Sequence, residues 1–308
     1  MKKWILNSIK ILVSIALLLF LFSKIGVRNV YVNLININIY FFLVVVIILI
    51  LDLALVGLIL KIMLKPIKPE GIIFKKLFLY SIITYSVSRF APGRIGDISM
   101  VYLLNKSKVP IGKASALVLL DKIVVFSIYL VFSLFGFFIF FPHESAVKMA
   151  FFCFGIIILG IFVLNWSKGR EILKKHILKS HAEKFSGFYS TLRDYVKKHK
   201  KILLIDIFLS LIKVFLMSIM VYFAFMSANY YTGVSIINFI IICSIGNIIS
   251  LIPVTMSGVG ARESFSVFAF SQLGVPAEIT MSAYIILLFI RYAFSGIFLL
   301  FYTWSQKH

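Results

Sequence analysis

Two short stretches interrupt an otherwise oily chain in the same way. The first runs Ser88-Arg89-Phe90-Ala91-Pro92-Gly93-Arg94-Ile95-Gly96-Asp97. The second runs Pro253-Val254-Thr255-Met256-Ser257-Gly258-Val259-Gly260-Ala261-Arg262-Glu263. Each follows an apolar, helix-like run, carries Pro and two Gly, and sets an Arg near a carboxylate. Hydrophobic residues make up 61% of the 308, which marks an all-α, polytopic integral membrane protein rather than a soluble core. Main chain broken within a bilayer leaves N–H and C=O groups without partners, and these persist only inside protein or beside a wet cavity. Paired breaks in the two halves of a chain are the pattern of a transporter with a midplane site. A translocator of lipid or solute is therefore expected.

A span needs about 20 apolar residues. Six full spans are expected, at about 4–22, 39–62, 114–141, 149–165, 202–226 and 279–304, with the breaks inside two further apolar regions, about 72–104 and 235–273. The first run follows Lys2 and Lys3 and has no small-x-small cleavage site, so it reads as a retained span. Lys and Arg outnumber Asp and Glu 32 to 11, and they gather between apolar runs. That placement fits cytoplasmic loops and anionic headgroups and argues against nucleic acid as partner. Following the basic loops puts both termini in the cytoplasm. It also makes each broken region a re-entrant hairpin, the two entering from opposite faces in the manner of an inverted repeat. The alternative is eight ordinary spans, which places Arg94 to Lys113 outside. Segment 166–201 is a basic cytoplasmic connector. Ile172, Leu173, His176 and Ile177 fall there at helical spacing, so it serves either as a solvated linker or as a surface helix on anionic lipid.

Ionisable groups at bilayer depth are costly and face protein or water. The acids are Asp52, Asp97, Asp121, Asp206 and Glu263; the bases are Arg89, Arg94, Lys122, Lys213, Arg262 and Arg291. Gly93 and Gly96 around Arg94, and Gly258 and Gly260 before Arg262, are suited to expose amides at a helix start, where anions bind. Arg adds a planar fork matched to phosphate. The candidate substrate-binding set is thus Gly93, Arg94, Gly96, Asp97, Gly258, Gly260, Arg262, Glu263 and Arg291. Its competitor is an internal Arg–carboxylate pair locking two hairpins together, and the carboxylates are expected to orient the Arg. Lys122 is expected to snorkel to the interface. Asp52 either pairs with Lys213 or Arg291 or carries a proton; Asp206 is expected to be structural. Cys153 and Cys243 read as free packing residues. No nucleotide loop, metalloprotease pair or nucleophile elbow occurs, so neither enzyme chemistry nor a metal or cofactor is expected.

The breaks resemble a known family. Pro92-Gly93-Arg94-Ile95-Gly96-Asp97 is similar to the P-G-R-x-G-E/D motif of the lysylphosphatidylglycerol synthase transmembrane region family, also called flippase-like domain proteins. Pro253 through Glu263 is similar to its P-x-x-x-x-G-x-G-x-R-E motif. Asp121-Lys122 stands where that family often has an acid–Arg pair, with Lys a departure. The resemblance spans essentially the whole chain and implies one flippase-like transmembrane domain over 1–308 in the cell membrane. It implies an anionic phospholipid or polyprenyl-phosphate-linked glycolipid as cargo, with Arg94, Asp97, Arg262 and Glu263 lining or bracing its path. The family includes the membrane half of enzymes that add lysine to phosphatidylglycerol, stand-alone proteins, and domains fused to glycosyltransferases. The chain ends at His308 after its last span, so the expectation is a protein without the synthase domain. A non-transporting partner of a glycosyltransferase or lipid-modifying enzyme, a proton-coupled solute carrier and an oligomer stay open as alternatives.

Overall fold

The computed structural model describes residues 27–69, 71–90, 95–165, 186–250 and 258–305. Among them are eleven helices and no strand: α1 (Val27–Ile35), α2 (Ile39–Leu64), α3 (Phe74–Phe90), α4 (Ile95–Lys106), α5 (Ile111–Phe140), α6 (His143–Asn165), α7 (Phe188–Lys198), α8 (Lys200–Ser227), α9 (Ile236–Ile249), α10 (Ala261–Gln272) and α11 (Ala277–Ser305). Many of these runs are rich in Ile, Val and Phe, which are mediocre helix formers in water. In hydrocarbon the choice is made by the backbone, which has no partner but itself.

Four helices, α2, α5, α8 and α11, are long and apolar enough to cross a membrane. At 1.5 Å per residue they reach about 39 to 45 Å, beyond the roughly 30 Å hydrocarbon core. These match four of the six expected spans. The expected span 149–165 lies within α6, and the one at 4–22 lies outside the described residues. Both broken regions form helix–break–helix units, α3/α4 and α9/α10. Their arms hold 17, 12, 14 and 12 residues, and none reaches about 30 Å alone.

Within each unit the chain doubles back. Ser99 Oγ lies 3.5 Å from Thr84 Oγ1, and the Tyr80 hydroxyl lies 2.7 Å from Ser107 Oγ. Numbers rise on one arm as they fall on the other, so the arms are antiparallel. In the second unit the stem of Arg262 lies against Gly246, and the Phe239 and Phe270 rings sit 4.8 Å apart. Two glycines permit the tight folds. A Cβ on Gly96 would stand 2.8 Å from the Thr84 carbonyl oxygen. One on Gly258, which has φ +80°, would stand 2.7 Å from Ser250 Cα. Gly96→Ala and Gly258→Ala are each expected to cost about 1–3 kcal/mol, seen as a lower Tm in detergent. Gly155→Ala, which meets nothing within 4 Å, should leave Tm in place.

The order long helix, hairpin, long helix occurs twice: α2, α3/α4, α5, then α8, α9/α10, α11. Starts of α5 and α11, at 111 and 277, are 166 residues apart. The same shift carries Val109-Pro110 onto Val275-Pro276, and Lys108 (φ 65°) onto Gly274 (φ 78°). At both places the Val N–H returns to the carbonyl five residues back, Leu104 or Phe270, and the positive-φ residue bonds three back, to Asn105 or Ser271. That is one helix-ending Schellman motif written twice. Helices α2 and α8, equivalent under the shift, pack antiparallel: the Asn38 N–H donates to the Ser227 carbonyl at 2.9 Å, and Phe41 stacks on Phe223 at 5.9 Å.

Two apolar cores hold this frame. One gathers Phe225, Phe239 and Phe270 with the first half of α11 and the second halves of α5 and α8. The other gathers Leu77, Leu104 and Leu117 around the second half of α2. Helix α7 joins the second core through Leu192 and Tyr195, and the Tyr195 hydroxyl donates to the Met63 carbonyl. On its outer face Lys198 sits 2.8 Å from Asp194, and that hydrogen bond holds the Asp194 carboxyl below its usual range. Of the basic connector, Ile172, Leu173, His176 and Ile177 lie outside the described residues. Cys153 and Cys243 are free and buried.

Candidate functional site

Between the two cores lies a cavity of about 620 Å³. Its level is set by the long helices: Asp52 on α2, Lys122 on α5, Lys213 on α8 and Arg291 on α11 all line it. Each stands within about one turn of its helix's midpoint. The hairpin tips close the same space, with Tyr85, Ser88 and Arg89 from α3, Gly96 and Asp97 from α4, Asn247 from α9, Ser250 just past its end, and Arg262 from α10. Residues from both breaks and from four long helices therefore meet at one depth.

The lining is cationic. Among the described residues, Arg89, Lys122, Lys213, Arg262 and Arg291 face it with Asp52 and Asp97 as the lining carboxylates. Their partners differ. Arg262 is tied down: its Nη2 donates to Glu263 Oε1 at 2.6 Å and its Nε to the same oxygen at 3.2 Å. Glu263, with no exposed surface, uses Oε2 to accept the Gly260 N–H at 2.6 Å, a reach-back cap on the first turn of α10. The Arg262 guanidinium also lies over the Tyr284 ring, 5.7 Å from its centre. The expected role of Glu263 in orienting its neighbour is therefore met by direct bonds.

Lys122 does not snorkel outward. Its Nζ sits 3.2 Å from Asp97 Oδ1 and 3.9 Å from Asp121 Oδ2. A carboxylate at the tip of the first hairpin gives it a partner on the cavity wall. Asp52 makes no ion-pair contact among the described residues, yet it stands within electrostatic reach of Lys213, Arg291 and Lys122. Asp206 is buried and accepts from Ser210 at 3.3 Å, apart from the cavity wall.

Arg291 is 4% exposed and makes no hydrogen bond or ion pair among the described residues. Arg89 packs its guanidinium 4.7 Å from the centre of the Tyr85 ring, and its buried Nε has no hydrogen-bond partner. The Tyr85 hydroxyl is likewise buried and unpartnered. Burying a cation without a partner is costly, and among the described residues that cost falls on Arg291.

Of the expected site residues, Gly96, Asp97, Arg262 and Arg291 line the cavity, and Glu263, Gly260 and Gly258 shape its second hairpin. Gly93 and Arg94 lie outside the described residues. Arg89 and Lys213 join the wall from outside the expected set. Their signal in the sequence is a lone charge near the end of a hairpin arm and in mid-span. Met217, Met220 and Tyr129 also line it and carry no signal that separates them from packing residues.

No curated protein matches the chain. A family profile, lysylphosphatidylglycerol synthase TM region, matches residues 7–298. With apolar membrane-length helices, paired breaks and motif residues in order over nearly its full length, the chain belongs to the lysylphosphatidylglycerol synthase transmembrane region family.

Proposed function

We propose that the protein moves an anionic phospholipid or a polyprenyl-phosphate-linked lipid between leaflets, passing the headgroup through the mid-depth cavity while the tails stay in the bilayer. The observation that carries this is Arg291, a buried guanidinium at the midpoint of a membrane-length helix, facing a cavity without a bonded partner among the described residues. Hydrocarbon rejects a charged headgroup, and a preformed cationic cavity lowers that barrier. The twofold recurrence of helices supports re-entrant hairpins entering from opposite faces of the cell membrane, and the basic loops support both termini in the cytoplasm. In this reading the chain does no synthase or transferase chemistry, and its ligand is the lipid itself.

Vesicles containing acyl-labelled phosphatidylglycerol test the reading by dithionite quenching. Protein-containing vesicles should expose inner-leaflet label faster than protein-free ones. Arg89→Gln/Arg291→Gln should return the rate to the protein-free value. Equal rates in all three preparations, with labelled phosphatidic acid as well as with labelled phosphatidylglycerol, would remove the transport reading. Asp52 supports a second, proton-coupled reading, because it faces the cavity amid three cations. A rate that ignores an imposed pH gradient leaves Asp52 as a fixed counter-charge.

A further inference from the structure

We propose that the cavity selects a headgroup bearing two negative charges, a phosphomonoester or a diphosphate, over a singly charged phosphodiester, with Arg89 and Arg291 as its direct ligands and Arg262 as a positioning residue. This rests on the anionic-lipid reading and sharpens it. Counting the described wall with the paired Glu263 and Asp121, five cations meet four carboxylates. Glu263 answers Arg262 and Asp97 answers Lys122 by contact. Lys213 is the foremost of the cations acting on Asp52. Arg89 and Arg291 touch no carboxylate among the described residues.

The two belong to one place. Their chain neighbours Phe90 and Tyr292 meet edge-on with ring centres 5.6 Å apart, and Arg291 stands within electrostatic reach of Arg262 and, more weakly, of Arg89. Two like charges in a cavity of low dielectric repel strongly. A singly charged anion between them leaves one cation uncompensated, whereas a doubly charged one balances both. Donors without a hydrogen-bond partner among the described residues gather there: Arg89 Nε, the Tyr85 hydroxyl and the Arg291 guanidinium. A phosphomonoester presents three terminal oxygens and a diester two. Guanidinium forks suit such oxygens better than ammonium groups do. Arg262 has already committed Nε and Nη2 to Glu263, so its part is to hold the second hairpin at the cavity edge.

The test uses the full chain in detergent and three probes: dioleoyl phosphatidic acid, dioleoyl phosphatidylmethanol and glycerol 3-phosphate. The first two share tails and differ by one headgroup charge; the third has the charge without the tails. Phosphatidic acid should bind about tenfold or more tighter than phosphatidylmethanol, the scale of one charged hydrogen bond. Arg89→Gln and Arg291→Gln should each bring phosphatidic acid down to the phosphatidylmethanol level. If either variant fails to fold, the other variant and the wild-type ratio decide. Equal binding of both lipids overturns the charge selection while leaving the anionic-lipid reading standing. Binding of neither above phosphatidylcholine overturns both. Glycerol 3-phosphate binding as tightly as phosphatidic acid would uphold the double charge and overturn the lipid.

Discussion

Glu263→Ala is expected to destabilise the protein by about 3–5 kcal/mol, the cost of leaving a buried charge without its partner. Two defects arise together. Arg262, whose side chain is 9% exposed, loses the carboxylate that takes its Nε and Nη2. Gly260 loses the acceptor of its N–H, leaving the first turn of α10 uncapped. Glu263→Gln separates the two, since its amide oxygen still reaches Gly260 while the negative charge is gone. It should fall between wild type and alanine. Arg262→Met combined with Glu263→Gln should recover much of the loss, because removing both members of a buried pair is far cheaper than removing one. Thermal unfolding in detergent gives the four values. A double variant no better than Glu263→Gln alone would show that the pair is not coupled.

Arg291→Met should move stability and function in opposite directions. The wild-type side chain is a cation at mid-depth with no bonded partner among the described residues. Exchanging it for an apolar chain of similar length removes a desolvation cost, so stability should rise by about 1–3 kcal/mol. Lipid movement in the dithionite assay should drop at least about tenfold, because each 1.4 kcal/mol lost at the site is a factor of ten. Higher Tm with lost transport identifies a group kept for function at the expense of the fold. Lower Tm with transport intact would make Arg291 a structural residue.

Sequence alone located the breaks, the long helices and the ionisable residues, because each is a local property of composition. Runs 39–62 and 202–226 became helices 39–64 and 200–227, ending within two residues of expectation. Partner choice was less legible. Glu263 was readable beside Arg262 because the two are adjacent. Asp97 meets Lys122 across 25 positions, through the return of α4 onto α5, and nothing local encodes that meeting. A helix apolar on all sides shows no stripe to say which face turns inward. So Lys122 could be placed on α5 from sequence but not aimed, and Arg89 looked like one more charge near a break. The 166-residue recurrence was hard to see for a related reason. It survives as geometry at Lys108 and Gly274, where unlike residues adopt the same left-handed conformation.

That recurrence reaches the hairpin carboxylates, Asp97 falling on Glu263, but not the mid-span charges. Shifted by 166 positions, Asp52 falls on Ser218, Lys122 on Leu288, Ile47 on Lys213 and Val125 on Arg291. The scaffold is twofold while the charges on its long helices are onefold. Cargo approaching from the two leaflets would pass similar walls but unlike potentials, and a passage of that kind has an intrinsic polarity even when its halves share one architecture.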